Sequence, residues 1–192
     1  MKRGFQTILS LGYTILMVAL FFIFFLKGDT YRYQIAIGGI ICGLIPFALD
    51  KFLKIRFTMP FIISYFAFLI ASQCLGSMLG LYSLGWWDTP FLHLLSGSLI
   101  SFLAVDLMEK FTTDQSRSQM SAWFIFLYVL SFGVFGGVLW EIYEFSADQF
   151  LGTTTQGGGN FDTMTDLVAD TVGALFIAIW VARRSKVKTI KW

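Results

Sequence analysis

Charged side chains are scarce in this chain. Asp, Glu, Lys and Arg together make up 14% of its 192 residues, and there is a single histidine. Hydrophobic residues make up 56%, including 22 Phe, and the mean hydropathy is +0.71. A composition this apolar excludes a soluble domain and is typical of a helical membrane protein. We therefore predict an all-α, polytopic membrane fold.

Cysteine is equally scarce, and long polar segments are missing. Cys42 and Cys74 lie inside apolar stretches, which excludes a disulfide framework and a thiolate metal site. No polar stretch is long enough to form a separate soluble domain. Apolar runs of about 17–25 residues can cross a bilayer as helices. Six such runs are predicted, at 6–26, 33–50, 59–83, 90–108, 120–147 and 161–183.

The distribution of basic residues predicts the orientation of these spans. Lys27 and Arg32 are the only basic residues predicted on one side of the membrane, and the other twelve of the 14 lie on the opposite side. Basic loops are retained in the cytoplasm, so we expect both termini there. We treat residues 1–192 as one integral-membrane domain, with scaffold helices at 1–84, site-bearing helices at 85–183 and a basic cytoplasmic tail at 184–192.

The acidic residues that remain are concentrated in the last spans. Asp162, Asp166 and Asp170 recur every fourth residue, so one face of the sixth helix can carry all three. An ionisable side chain inside a membrane helix costs about 2.5–3.5 kcal/mol on insertion scales and usually has a function. This ladder therefore predicts a binding or catalytic site.

Two further helices are predicted to face this ladder. The fifth carries glycines at its deep end and acids near the outside, and the fourth begins with His93 and continues with Gly97 on the same face. The stripe on the fifth helix consists of Gly133, Gly137, Glu141, Glu144 and Asp148. The only histidine is thus placed at the depth of the carboxylates, in an outward-facing acidic pocket.

Several carboxylates in a medium of low dielectric constant need a cation or protons to balance their charge. A divalent metal ion is the sharper prediction, and oxygen ligands with one imidazole suit Mg²⁺, Mn²⁺, Ca²⁺ or Zn²⁺. We expect His93 and Glu144 to carry protons in catalysis. The predicted metal ligands are Glu141, Asp162, Asp166 and Asp170.

Aromatic and polar residues surround the predicted pocket. Asp88, Trp87, Trp140 and Tyr143 are the expected substrate contacts, although Trp and Tyr at this depth also anchor helices at the membrane interface. The external loop 151–160 is rich in Gly and Thr. It offers Thr153, Thr154, Thr155 and Asn160 as further polar contacts.

Three motifs carry a family resemblance. W-D-x4-H-x3-G at 87–97, W-E-x2-E-F at 140–145 and D-T-x2-D-L-x2-D-x2-G-A at 162–174 resemble the YjdF-like family of bacterial membrane proteins and, more distantly, the VanZ-like proteins. The resemblance implies a multi-pass protein of the bacterial inner membrane. It marks the same histidine and carboxylates as the polar set, with Gly97 and Gly173 in packing roles.

The function predicted from these features is binding of, or action on, an envelope lipid or its phosphorylated head group, as a metal-dependent hydrolase or transferase. Membrane lipids are the expected partners, and nucleic acid is not. Two alternatives stay open. The acids could serve cation- or proton-coupled transport or small-ligand binding, or the cluster could be structural in an envelope or antibiotic-resistance accessory protein.

Overall fold

The computed structural model describes residues 3–152, 155–157 and 159–185. All regular elements in these ranges are helical, and they contain no strand. The prediction of an all-α membrane fold with six spans is confirmed for this part of the chain. The helices long and apolar enough to cross a membrane are Gly4–Leu26, Thr30–Leu53, Met59–Met78, Pro90–Phe111, Ala122–Phe150 and Asn160–Arg184.

The chain forms two compact units that meet in sequence between Ser83 and Leu84. The first contains α1 (Arg3–Leu26), α2 (Thr30–Leu53) and α3 (Met59–Leu69), and α3 continues into a π-helical segment at Ile70–Met78. Asp29 caps α2, because its carboxylate accepts a hydrogen bond of 3.1 Å from the backbone N–H of Arg32. This bond and the Arg32 guanidinium lower the pKa of Asp29.

Glycines let α1 and α2 approach closely. A Cβ atom at Gly39 would lie 2.8 Å from Cγ of Met17, and one at Gly43 would lie 2.7 Å from Oγ1 of Thr14. Helix association in lipid depends on such close packing, because lipid tails provide no hydrophobic driving force between helices.

A proline inside α2 explains one tertiary hydrogen bond of this unit. Pro46 has no N–H, so the carbonyl of Cys42 one turn earlier lacks its helical partner. The Tyr65 hydroxyl donates to that carbonyl at 2.9 Å. A backbone group in lipid must be satisfied by protein, and Tyr65 does this here. Cys42 and Cys74 are both free thiols.

The third span is shorter than predicted. Its helix ends at Met78 rather than residue 83, because Gly80 adopts a positive φ of 78° and a short 3-10 turn follows at Leu81–Ser83. Residues 79–83 are apolar enough to extend a hydropathy window, but their backbone leaves the helix.

The second unit carries the predicted site. A π-helical segment at Trp87–His93 leads into α4 (Leu94–Phe111), which is followed by α5 (Asp114–Gln119), α6 (Ala122–Leu151) and α7 (Asn160–Ser185). Helices α4, α6 and α7 each pack against the other two. Ser121 caps α6 by accepting from the N–H of Phe124 at 3.1 Å, and Gly152 with a φ of 67° follows its last residue.

The apolar core of this unit lies away from His93 and the carboxylates of the predicted site. It is formed near the end of α4, the beginning of α6 and the end of α7, because α6 runs antiparallel to the other two helices. Its buried members are Val105, Met108, Ile125, Val129, Ala178 and Val181. The opposite end of the same three helices holds His93, Glu141, Asp166 and Asp170. The cytoplasmic placement of both termini stays a prediction, and residues 186–192 of the basic tail lie outside the described ranges.

Candidate functional site

His93 is the last residue of the π-helical segment, directly before α4. Aromatic packing holds this segment, because the centroid of the buried Trp87 ring lies 4.8 Å from the centroid of the Phe91 ring. π-Helical turns are rare and occur frequently at functional sites. The imidazole that the segment presents is 7% exposed.

The imidazole of His93 lies between two aspartates of α7. Its Nδ1 is 3.1 Å from Oδ2 of Asp170, and its Nε2 is 3.6 Å from Oδ1 of Asp166. The two carboxylates are one helical turn apart, so they reach opposite nitrogens of one ring. Asp166 is 3% exposed and Asp170 is 1% exposed.

Asp170 is enclosed on all sides. The Ser96 hydroxyl donates to its Oδ1, and the same hydroxyl lies 2.8 Å from the His93 carbonyl oxygen. Two glycines make room for it. A Cβ atom at Gly97 would overlap the Asp170 backbone, and one at Gly137 would lie 2.7 Å from Oδ2 of Asp170. The surroundings thus fix this carboxylate against Nδ1 of His93.

Glu141 of α6 faces the pair from the third helix. It is 5% exposed. Neither of its carboxylate oxygens has a hydrogen-bond partner of normal geometry among the described residues, although the Thr163 side chain lies near the carboxylate. A buried carboxylate without hydrogen bonds is strongly disfavoured unless a proton or a cation balances it.

His93, Glu141 and Asp166 form a group that could hold a metal ion. One ligating atom from each can be chosen so that all three lie within 4.8 Å of one another. One imidazole nitrogen and two carboxylate oxygens suit Zn²⁺ or Mn²⁺, and additional water ligands would suit Mg²⁺. Asp170 would then occupy the position of the carboxylate that orients a metal-binding histidine through its other nitrogen.

A cavity of about 480 Å³ opens beside this group. Glu141 belongs to both, so the cavity and the candidate metal site are adjacent. The remaining lining residues come from α6, from α7 and from the loop between them: Val138, Ile142, Phe145, Gln156, Asn160, Thr163 and Leu167.

Comparison with known proteins places most of the chain in one family. The profile of the DUF2238 family, described as a predicted membrane protein, matches residues 8–187. The chain belongs to the DUF2238 family. An uncharacterized protein of Thermotoga maritima is 32% identical over 111 residues, which are 57% of this chain and 55% of that protein. The chain thus spans about half the length of this curated relative. No solved structure matches this chain.

The family match agrees with the predicted resemblance to YjdF-like proteins, because that family corresponds to DUF2238. It gives no support to the more distant resemblance to VanZ-like proteins. The DUF2238 protein is therefore a multi-pass membrane protein, as predicted.

The carboxylates predicted as ligands or proton carriers of the DUF2238 protein differ in their contacts and burial. Glu141 and Asp166 lie in the candidate metal group with His93, and Asp170 contacts the other side of the imidazole. Glu144 is half-buried and accepts a hydrogen bond of 3.0 Å from the indole N–H of Trp140. Asp162 is half-buried in the first turn of α7, outside that group. Their roles as ligands and proton carriers stay predictions.

The predicted substrate contacts lie outside the candidate metal group. Asp88 is exposed in the first turn of the π-helical segment. Partial burial of its carboxylate nevertheless raises its pKa, His93 lowers it, and Asp162 raises it. Trp87 is buried in the aromatic packing, whereas Trp140 and Tyr143 are exposed on α6 with ring centroids 5.3 Å apart. None of these four residues lines the described cavity.

Ser96 was not singled out from the sequence, and Asp148 was predicted only as part of the acidic stripe, without its contacts to the loop. Ser96, which holds Asp170, stands three residues after His93, and this helical spacing was the signal that could have identified it. Asp148 fixes the loop after α6 by accepting from the N–H groups of Thr155 at 2.8 Å and Gln156 at 2.9 Å. Of the polar loop residues that were predicted, Asn160 lines the cavity, while Thr153 and Thr154 lie outside the described residues.

Proposed function

We propose that this DUF2238 protein binds a divalent metal ion through His93, Glu141 and Asp166 and acts on the phosphorylated head group of a membrane lipid. One observation carries the proposal. Glu141 is buried, neither of its carboxylate oxygens has a hydrogen bond of normal geometry, and it lies where the candidate metal group meets the cavity. A residue in that position can bind a cation on one side and face a ligand on the other.

Charge balance supports a metal ion over a packing role for these residues. Three nearly buried carboxylates, Glu141, Asp166 and Asp170, surround one imidazole. A single aspartate–histidine pair would be sufficient to hold two helices together, and each further buried carboxylate adds a desolvation penalty. A divalent cation would offset two of these negative charges.

The chemistry follows from the positions of the remaining groups. A bound divalent ion would polarise a phosphoryl oxygen or activate a water molecule. Asp170 holds Nδ1 of His93 and so directs Nε2 toward Asp166. With His93 assigned as a ligand, Glu144 is the proposed proton carrier, since it lies one turn beyond Glu141 and is only half-buried.

The test compares two glutamates on the same helix. Detergent-purified wild type, Glu141→Gln and Glu144→Gln are loaded separately with Mn²⁺ and Zn²⁺, freed of excess metal and measured by elemental analysis. We expect about one retained ion per chain in wild type and in Glu144→Gln, and loss of most of it in Glu141→Gln, because removal of a carboxylate ligand weakens metal binding strongly. Equal retention in all three proteins, or none in wild type, would refute the metal site.

The catalytic part has a separate assay. Phosphate release from phosphatidic acid in mixed micelles should require the metal, should be abolished by Glu141→Gln, and should fall about 10²–10⁴-fold in Glu144→Gln if this residue carries the proton. If the protein retains the metal but releases phosphate from no phosphorylated lipid, the catalytic proposal is wrong. The protein would then be a cation-binding protein, and cation-coupled transport would be the better hypothesis.

A further inference from the structure

The cavity beside Glu141 is divided into an apolar part and a polar part. Its apolar wall is formed by one stripe of α6 and a facing residue of α7: Val138, Ile142, Phe145 and Leu167. Its polar wall is formed by Gln156 of the loop, Asn160 and Thr163 of the first turn of α7, and the Glu141 carboxylate. A site with this division suits an amphiphilic ligand rather than a small hydrophilic one.

The apolar wall lies within a membrane span. Val138, Ile142 and Phe145 belong to the span Ala122–Phe150 and are 37%, 55% and 54% exposed. Their spacing of four and three residues places them on one helical face. Side chains exposed on a membrane span contact lipid, so an opening on this face of α6 is open to the bilayer.

The polar wall contains no lysine or arginine among its described lining residues. Gln156 donates from Nε2 to Thr163 at 2.7 Å, which joins the loop to α7 at this wall. Neutral amides and a hydroxyl can bind the glycerol and ester oxygens of a lipid, but they do not neutralise a phosphate. The anionic phosphate would therefore depend on the cation held by Glu141.

We infer that the cavity is the binding site of a membrane glycerophospholipid that enters sideways from the bilayer between α6 and α7. One acyl chain lies against Val138, Ile142 and Leu167, and the glycerol region reaches Gln156 and Thr163. The phosphate position rests on the metal site of the proposed function, whereas the acyl-chain position does not. A volume of about 480 Å³ is within the usual range for ligand sites of about 300–1,000 Å³.

Photo-crosslinking in nanodiscs tests the acyl-chain position. Protein is reconstituted in phosphatidylglycerol that contains a small fraction of the same lipid with a diazirine in its acyl chain, and the adducts are mapped by mass spectrometry. Adducts should concentrate on the apolar wall. Ile142→Trp should lower their yield about tenfold by filling the cavity. Leu139→Trp is the matched control, because Leu139 is 50% exposed on the same helix and does not line the cavity.

The outcomes separate this inference from the proposed function. Adducts that persist in Glu141→Gln, which is expected to lack the metal, support the lipid site even if no metal is ever found. Adducts distributed equally over the Leu139 and Ile142 faces, or unchanged by Ile142→Trp, would overturn it. Displacement of the probe by water-soluble glycerol phosphate as readily as by added phosphatidylglycerol would also overturn it, because the ligand would then be a soluble phosphate.

Discussion

The close approach of α4 and α7 leads to a sharp prediction for Gly97→Ala. A Cβ atom at this position would lie 2.7 Å from the carbonyl carbon of Asp170 and 2.8 Å from its Cα. Ordinary contacts between carbon atoms are about 3.5–4.0 Å. Because the opposing atoms are backbone, no side-chain rotation can relieve the overlap, and the two helices must separate by about 1 Å.

The expected destabilisation follows from this geometry. Overpacking a tight site costs typically about 1–3 kcal/mol, and a clash with backbone belongs at the upper end. Replacing helical Gly by Ala returns about 1 kcal/mol through helix propensity. The net loss is about 2 kcal/mol, which corresponds to a fall in melting temperature of about 4–8 °C for a chain of this size.

Gly136→Ala is the matched control. Its new Cβ atom would lie 2.8 Å from Cγ2 of Ile100, which is a side-chain atom that can move. The melting temperature of this variant should therefore stay within about 3 °C of wild type. Gly97→Ala should in addition lose metal affinity by about tenfold or more, because a shift of Asp170 disturbs its contact with His93. Equal melting temperatures and metal affinities for the two variants would refute the reasoning.

Three further predictions concern single carboxylates. Asp170→Asn should weaken metal binding about 10–100-fold by loosening His93, and titration with Zn²⁺ giving wild-type affinity would exclude the orienting role. Asp148→Ala should speed hydrogen exchange of the loop amides after α6 about tenfold, because Asp148 accepts hydrogen bonds from the N–H groups of Thr155 and Gln156. Gln149→Ala should leave this exchange unchanged, and equal exchange in the two variants would contradict the role of Asp148 in holding the loop. The pKa of Asp29 is lowered in the folded protein, so its ionised form stabilises α2 above about pH 4 and this contribution is lost as the pH falls through the folded pKa. The melting temperatures of wild type and Asp29→Asn should therefore converge as the pH falls below about 4, and a constant difference would contradict this.

The helical spans were predictable because hydropathy over about 20 residues reports directly on the environment that a segment can occupy. The grouping of the residues of the candidate site was predictable for a related reason. Carboxylates are so costly inside a membrane span that His93, Glu141 and Asp166 stand out against an apolar background. Helical periodicity then placed each of them on a face directed at the other helices.

The different contacts that the individual carboxylates make were not predictable in this way. Asp162, Asp166 and Asp170 share one spacing, yet only Asp166 joins the candidate metal group, and Asp170 contacts the opposite nitrogen of His93. Periodicity specifies a face but not the depth and rotation of the helix against its neighbours. Those are determined by contacts such as Gly97 against the Asp170 backbone.

The amino-acid sequence by itself determined that this is a helical membrane protein with six candidate spans and a cluster of acids and one histidine in its second half, because span hydropathy and isolated charge are local properties. Only the tertiary structure decided that Glu141 is buried beside a cavity, with no hydrogen bond of normal geometry to its carboxylate. It also decided that the cavity combines an apolar wall from α6 with polar groups from the loop and α7. Both depend on how closely three helices pack, and that distance is set by long-range contacts between small residues, which a linear pattern does not contain.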